Sequence, residues 1–169
     1  MSAVIMNLGE CAKTGILLAL KAMFKIEPSE PPVLEMKVVT RVEICSGPES
    51  YASLVTLSHE ETKASGFVIL YLPKATGKKL LENLGIKKPT AEDVKDIAGE
   101  FCSIVAGVFK AEVTKLGLGN MNVSLPKTYS EGVDQEIPGV HVDTKYAVSI
   151  FHNDSQLMTV EVAFASEGH

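Results

Sequence analysis

AEDVKDIAGEFCSIVAGVFKAEVTKLG, residues 91–117, reads as one long amphipathic helix with two distinct faces. Val94, Ile97, Ala98, Phe101, Ile104, Val105, Val108, Val113 and Leu116 recur at the i, i+3, i+4, i+7 spacing of a core-facing stripe. A second line, Gly99, Ser103, Gly107 and Ala111, repeats every fourth residue with small side chains only. Asp96, Glu100 and Lys110 stand beside it. Glycine inside a helix costs roughly 1 kcal/mol relative to alanine, so a line of small residues implies that something comes close to this backbone. Glu100 and Ser103 lie one turn apart where it would land. Thr90 serves as N-cap with Asp93 three residues on, and Gly117 and Gly119 end the helix.

Upstream, residues 74–84 form a short helix with Leu80, Leu81 and Leu84 inward and Gly85 as its C′ residue. At the start of the chain, residues 8–25 read as an amphipathic helix with Ile16, Leu17, Leu20, Met23 and Phe24 apolar, ended by Glu27 and Pro28. PSEPP, residues 28–32, is a breaker. Leu34, Met36, Val38, Thr40, Val42 and Ile44 then alternate with Glu35, Lys37, Val39, Arg41 and Glu43, the pattern of a long half-buried strand over 34–44. Gly47 and Pro48 turn the chain into a second strand at 51–58, HEETKASG forms a polar turn, and residues 67–72 make a third strand buried on both faces. The first half therefore reads as a helix followed by an antiparallel meander.

Downstream, residues 120–125 form a fourth strand stopped by Pro126, and residues 127–144 are a long acidic connection bearing Gly and Pro. Residues 145–152 and 157–165 pair as a hairpin across Asn153 and Asp154. The predicted order is α-β-β-β-α-α-β-β-β. It describes an α+β domain with a mainly antiparallel sheet of about six strands and its helices packed on one side.

The length of 169 residues suits a single domain, 1–169, with a sizeable core. Apolar residues at 46% and charged residues at 22% match ordinary globular proteins. The longest uncharged apolar runs, 15–20 and 102–109, are too short to span a bilayer, and MSAVIMNLGECAK carries no signal-peptide pattern. A cytoplasmic location is expected. The net charge is −5 and Arg41 is the single arginine, with lysines scattered or paired. That argues against a nucleic-acid face and against a polybasic membrane anchor. Cys11, Cys45 and Cys102 are widely spaced without a CxxC pair and read as buried free thiols. His59, His141, His152 and His169 are dispersed, and no metal-ligand spacing occurs.

Ala75-Thr76-Gly77-Lys78 resembles the end of a phosphate loop, but Leu72 holds the place of the earlier glycine and Lys79 that of the Ser/Thr. A helix start is the better reading. Ser103 is a poor covalent nucleophile, because mid-helix backbone N–H groups are already engaged and no base accompanies it. Met23, Met36 and Met158 fill gaps in the core. On residues alone, the Glu100/Ser103 face is compatible with a solvated surface, with a small-residue seam against helix 8–25, or with a contact surface for a partner.

DIAGEFCSIVAGVFKAEVTKLG followed by NMNVSLPKTYSEG resembles the CheC/CheX family of chemotaxis phosphatases, most closely its single-site CheX-like type. Glu100, Gly107, Ser124 and Pro126 fall in step with that family's pattern of a Glu, an Asn three residues later, a Gly, and a strand ending in Pro. The meander with Gly66-Phe67-Val68-Ile69-Leu70 before a short helix is similar as well, and the resemblance spans about residues 8–165. It implies that the helix enters the active site of a phosphorylated CheY-like receiver domain and hydrolyses its aspartyl phosphate. The partner would supply Mg²⁺, and this chain would need no cofactor. Glu100 and Ser103 are the catalytic candidates, with Asp96, Gly99, Gly107 and Lys110 as partner contacts. The resemblance also implies a homodimer with sheets joined across chains, for which strand 34–44 could supply the edge.

The chain departs from the pattern at position 103, where Ser replaces Asn. A hydroxyl donates and accepts like an amide, but it leaves the attacking water roughly 1–2 Å farther away, a misplacement that can cost about 10²-fold. The alternative reading is therefore a non-catalytic module that binds a receiver domain or another partner through this helix. A third reading, a small-molecule binding domain, calls for a defined apolar pocket away from the helix.

Overall fold

The structure, a computed structural model, describes residues 2–25, 33–39, 50–117, 119–130, 145–152 and 155–165. Its elements run α1 (Ser2–Phe24), β1 (Val33–Val39), β2 (Ser50–His59), β3 (Ala64–Pro73), α2 (Lys74–Asn83), α3 (Ala91–Lys115), β4 (Asn122–Val123), β5 (Lys127–Tyr129), β6 (Lys145–His152) and β7 (Ser155–Ala165). The expected run of the first strand to Ile44, the breakers at 28–32 and at Gly47 and Pro48, Cys45, the connection beyond residue 130 and the turn at Asn153 and Asp154 lie outside the described residues.

One antiparallel sheet carries the fold, in the order β1-β6-β7-β3-β2, with β4 and β5 sharing the far edge of β2. Seven strands thus fill six positions, as the sequence predicts. The predicted meander is corrected in one respect: β1 pairs with β6, from Val33 opposite Phe151 to Val39 opposite Lys145, and not with β2. The C-terminal hairpin lies between β1 and β3 instead. The reason lies in β3, whose residues from Phe67 to Leu72 are buried on both faces. Such a strand needs a neighbour on each side; β2 supplies one across ten residue pairs and β7 the other.

Helices α1, α2 and α3 all lie over the same face. Val55, Leu57, Val68, Leu70, Leu72, Val148, Ile150, Val160 and Val162 of the sheet join Ile16, Leu20, Phe101, Val105 and Phe109 of the helices in one buried cluster. The opposite face holds a smaller buried cluster of Ala52, Leu54, Phe67, Ile69, Tyr71 and Ala163. There the Tyr71 hydroxyl donates to Oε2 of the buried Glu161 at 3.3 Å.

Local signals set the helix ends. Thr90 Oγ1 accepts from the Asp93 N–H at 3.1 Å while Asp93 Oδ2 accepts from the Thr90 N–H at 2.8 Å, a complete capping box on α3. Helix α2 closes in a Schellman arrangement: Gly85 takes φ +92°, its N–H donates to Glu82 O, and the Ile86 N–H donates to Leu81 O. Gly77, from the phosphate-loop-like stretch, is buried inside α2, where a Cβ would stand 2.5 Å from Val94 Cγ1. It is a packing glycine.

Candidate functional site

Helix α3 is clamped to the sheet from below. The Cys102 thiol donates to the carbonyls of Ser53 on β2 and Val68 on β3, each at 3.4 Å. Burial strips water from this thiol and pushes its pKa up to about 12, so it is an inert, protonated donor and not a nucleophile. The Thr128 hydroxyl on β5 donates to Ser53 Oγ at 3.1 Å. On the α1 side, the Phe24 and Phe101 rings stack with centroids 5.9 Å apart.

The helix faces bear on one of the alternatives left open by the sequence, the small-residue seam against α1. The seam between α1 and α3 is made by Gly15 of α1, whose close neighbours are the Val105 backbone and Val108 Cβ. The line Ser103, Gly107, Ala111 is not part of it. Gly107 and Ala111 are exposed, Ser103 is half-buried, and a Cβ added to Gly107 would meet nothing within 4 Å. Gly99 is the exception. It is buried, and a Cβ there would sit 3.6 Å from Pro126 Cγ and 3.6 Å from Thr128 Oγ1. The near neighbours of Gly99 thus lie within the chain, because its side of the helix is turned to β5.

Asp96 and Glu100 are exposed and Lys110 is half-buried. Among the described residues, the side chains of Asp96, Glu100, Ser103 and Lys110 take part in no hydrogen bond or ion pair. Asp96, Glu100, Ser103, Gly107 and Lys110 thus share one flank of α3, with the buried Gly99 beside it. Charged and hydroxyl groups there are unspent on the chain itself.

Beside this flank lies a feature the sequence reading missed. The fourth strand, expected over 120–125, is only Asn122–Val123, and the chain pairs again with β2 as β5, which the sequence assigned to a connection. Leu57 faces Val123, but Leu54 faces Lys127. One residue more is therefore accommodated on this edge, and Leu125 and Pro126 together span the place opposite Val55. Pro126 has no N–H to give the ladder, and it is the residue that covers Gly99. The Leu-Pro pair at the end of a strand was the available signal. No group of three or more His, Cys, Asp or Glu side chains suited to a metal ion occurs among the described residues. A cleft of about 260 Å³ lined by Ser50, Tyr71, Pro73, Gln156, Met158 and Thr159 lies away from α3. More of its lining surface is apolar than polar, through Tyr71, Pro73 and Met158, and Ser50, Gln156 and Thr159 supply the polar part.

The family of the chemotaxis phosphatase CheX matches residues 52–157, more than half of the chain. No curated protein matches. Among solved structures, a CheC-like superfamily protein from Shewanella sp. PV-4 aligns with TM-score 0.72 at 16% identity, covering 94% of this chain and 97% of that one. The chemotaxis protein CheX from Vibrio vulnificus aligns with TM-score 0.69 at 17% identity, covering 94% and 99%. The CheX of a CheX–CheY–BeF3–Mg²⁺ complex from Borrelia burgdorferi aligns with TM-score 0.61 at 17% identity, covering 92% and 96%. At these identities the structural matches speak for the fold.

Proposed function

Since the chain belongs to the chemotaxis phosphatase CheX family, we propose that it docks α3 onto a phosphorylated CheY-like receiver domain and hydrolyses the aspartyl phosphate there. The observation that carries this reading is the open flank of Asp96, Glu100, Ser103 and Gly107 on a helix tied to the sheet from behind by Cys102. The CheX–CheY complex from Borrelia supports the partner class.

The chemistry asks little of this chain. An acyl phosphate is already reactive, and the receiver domain would hold the Mg²⁺. What remains is to place one water in line with the phosphorus–oxygen bond and to exclude others. Glu100 would anchor the helix by pairing with a lysine of the receiver. Ser103, one turn on, would accept a hydrogen bond from the water or donate one to it, holding its oxygen toward phosphorus while the aspartate carboxylate leaves. Gly107 presents no side chain, which lets the partner's backbone approach the helix closely. The reaction would take place in the cytoplasm, where receiver domains work.

A second reading is favoured by one residue. Ser103 is shorter than the family's Asn, and a chain with the docking helix but a misplaced water would bind a receiver domain without catalysis. Decay of a phosphorylated receiver domain with and without the protein decides between them, alongside Ser103→Asn. Faster decay with the wild type supports hydrolysis. No acceleration by the wild type but acceleration by Ser103→Asn supports the binder. Failure of both forms to bind any receiver domain sinks both readings.

We also infer a homodimer through β1. Among the described residues this strand pairs with β6 alone, so its other side is a sheet edge able to accept a second chain. Light scattering after gel filtration tests this directly; a monomer at micromolar concentration would refute it.

A further inference from the structure

The bulge beside α3 holds out a leucine that stands open to solvent among the described residues. Leu125 is 89% exposed, far above the other exposed large apolar residues, which range from 38% to 52%. A single exposed leucine is ordinarily unremarkable. This one differs because its backbone is fixed. The Ser124 N–H donates to the Thr56 carbonyl at 2.9 Å, and the Thr56 N–H donates to Ser124 Oγ at 2.9 Å. The same hydroxyl donates to the Leu125 carbonyl at 3.1 Å. On its other side, Pro126 has φ set by its own ring and stands beside α3, 3.6 Å from where a Cβ on Gly99 would lie. A residue pinned on both sides has little backbone freedom left to lose on binding, which is the condition for an efficient anchor.

Its position is as specific as its rigidity. Leu125 lies in the bulge between Val123, which pairs with Leu57 of the helix-side core, and Lys127, which pairs with Leu54. Pro126 touches Gly99, the residue before Glu100 and one turn before Ser103. The leucine thus stands at the border of the open flank of α3. Bulges next to functional sites commonly re-aim a side chain in this way.

We infer that Leu125 is the apolar anchor of the docking surface, a specificity-determining residue that inserts between apolar side chains of the receiver domain next to the groove receiving α3. This inference rests on the docking proposed above. The polar flank of α3 would supply charge pairing and the water, while Leu125 would supply apolar surface removed from water on docking. Leu125 would therefore act on binding and not on the chemical step.

The test compares wild type, Leu125→Ser and Leu125→Met for binding to a receiver domain loaded with beryllium fluoride and Mg²⁺, and for phosphate release at saturating protein. Leu125→Ser is expected to weaken binding by about tenfold to a hundredfold, to leave the saturated rate unchanged, and to leave the melting temperature unchanged because the side chain is in solvent. Leu125→Met is expected to bind as the wild type does. If wild type binds and Leu125→Ser binds equally well, the anchor is overturned and the docking of α3 stands. If wild type binds no receiver domain, both fall together. If Leu125→Ser shifts the oligomeric state instead, the leucine belongs to self-association and the inference fails.

Discussion

A Cβ placed on Gly15 would stand 3.0 Å from the carbonyl oxygen of Val105, so α1 and α3 meet there with no room for a side chain. The neighbouring atoms are backbone and the Val108 Cβ at 3.3 Å, none of which can swing aside. Gly15→Ala gains roughly 1 kcal/mol of helix propensity. It loses about 1–3 kcal/mol by forcing the two helices apart. The net expectation is a loss of about 1 kcal/mol and a melting temperature lower by about 2–4 °C. A melting temperature above wild type would show that α1 shifts freely.

Gly107 is the opposite case on the same pair of helices. Nothing lies within 4 Å of a Cβ there, so Gly107→Ala should stabilise the fold by roughly 0.5–1 kcal/mol. If its bareness serves a partner's approach, the same methyl group should weaken receiver-domain binding. Thermal melting and a binding isotherm on one sample check both halves. A stabler protein with unchanged affinity would mean that the glycine has no docking role.

How far the sequence carried the reading follows from where the physical signals are local. The capping box at Thr90 and Asp93 and the glycine at 85 are short-range patterns and stand where the sequence places them; the apolar stripe of α3 holds at Val94, Ala98, Phe101, Val105 and Val113, while Leu116 is exposed and Phe109 joins the core instead. Strand neighbours are not local. The alternation over 34–44 identifies a strand with one buried face, but nothing in it says that β6 and not β2 will lie alongside. The same holds for the helix flank: Gly99 and Gly107 share one spacing, yet the β5 edge lies close to Gly99 and not to Gly107. That strand was hidden because Pro126 reads as a stop, whereas here it interrupts the ladder for one step and the chain resumes.

Glu100 is exposed and, among the described residues, unpaired. Replacing it by glutamine should therefore leave the unfolding free energy within about 0.5 kcal/mol of wild type, as for surface substitutions generally. If the carboxylate meets a lysine in a partly desolvated interface, Glu100→Gln should weaken binding to the loaded receiver domain by about tenfold or more. The wild-type affinity should also fall with added salt more steeply than that of the variant. Parallel salt dependences would place the carboxylate outside the interface.

Cys102 links the clamp beneath the site to pH. Burial raises its pKa from 9.0 to about 12 in the folded chain, while the unfolded chain keeps the ordinary value. Between these values the unfolded state binds fewer protons than the native one. The stability attached to the protonated thiol is therefore fully present below about pH 9 and declines as pH rises toward about 12, by at most about 1.4 kcal/mol per pH unit. Cys102→Ala removes both the thiol and its bonds to Ser53 and Val68, so it should be less stable than wild type near neutral pH. Its guanidinium midpoint should nevertheless fall less between about pH 8 and about pH 10.5, and the gap to wild type should narrow. Midpoints that fall in parallel for the two proteins would show that the thiol is not the group being titrated on unfolding.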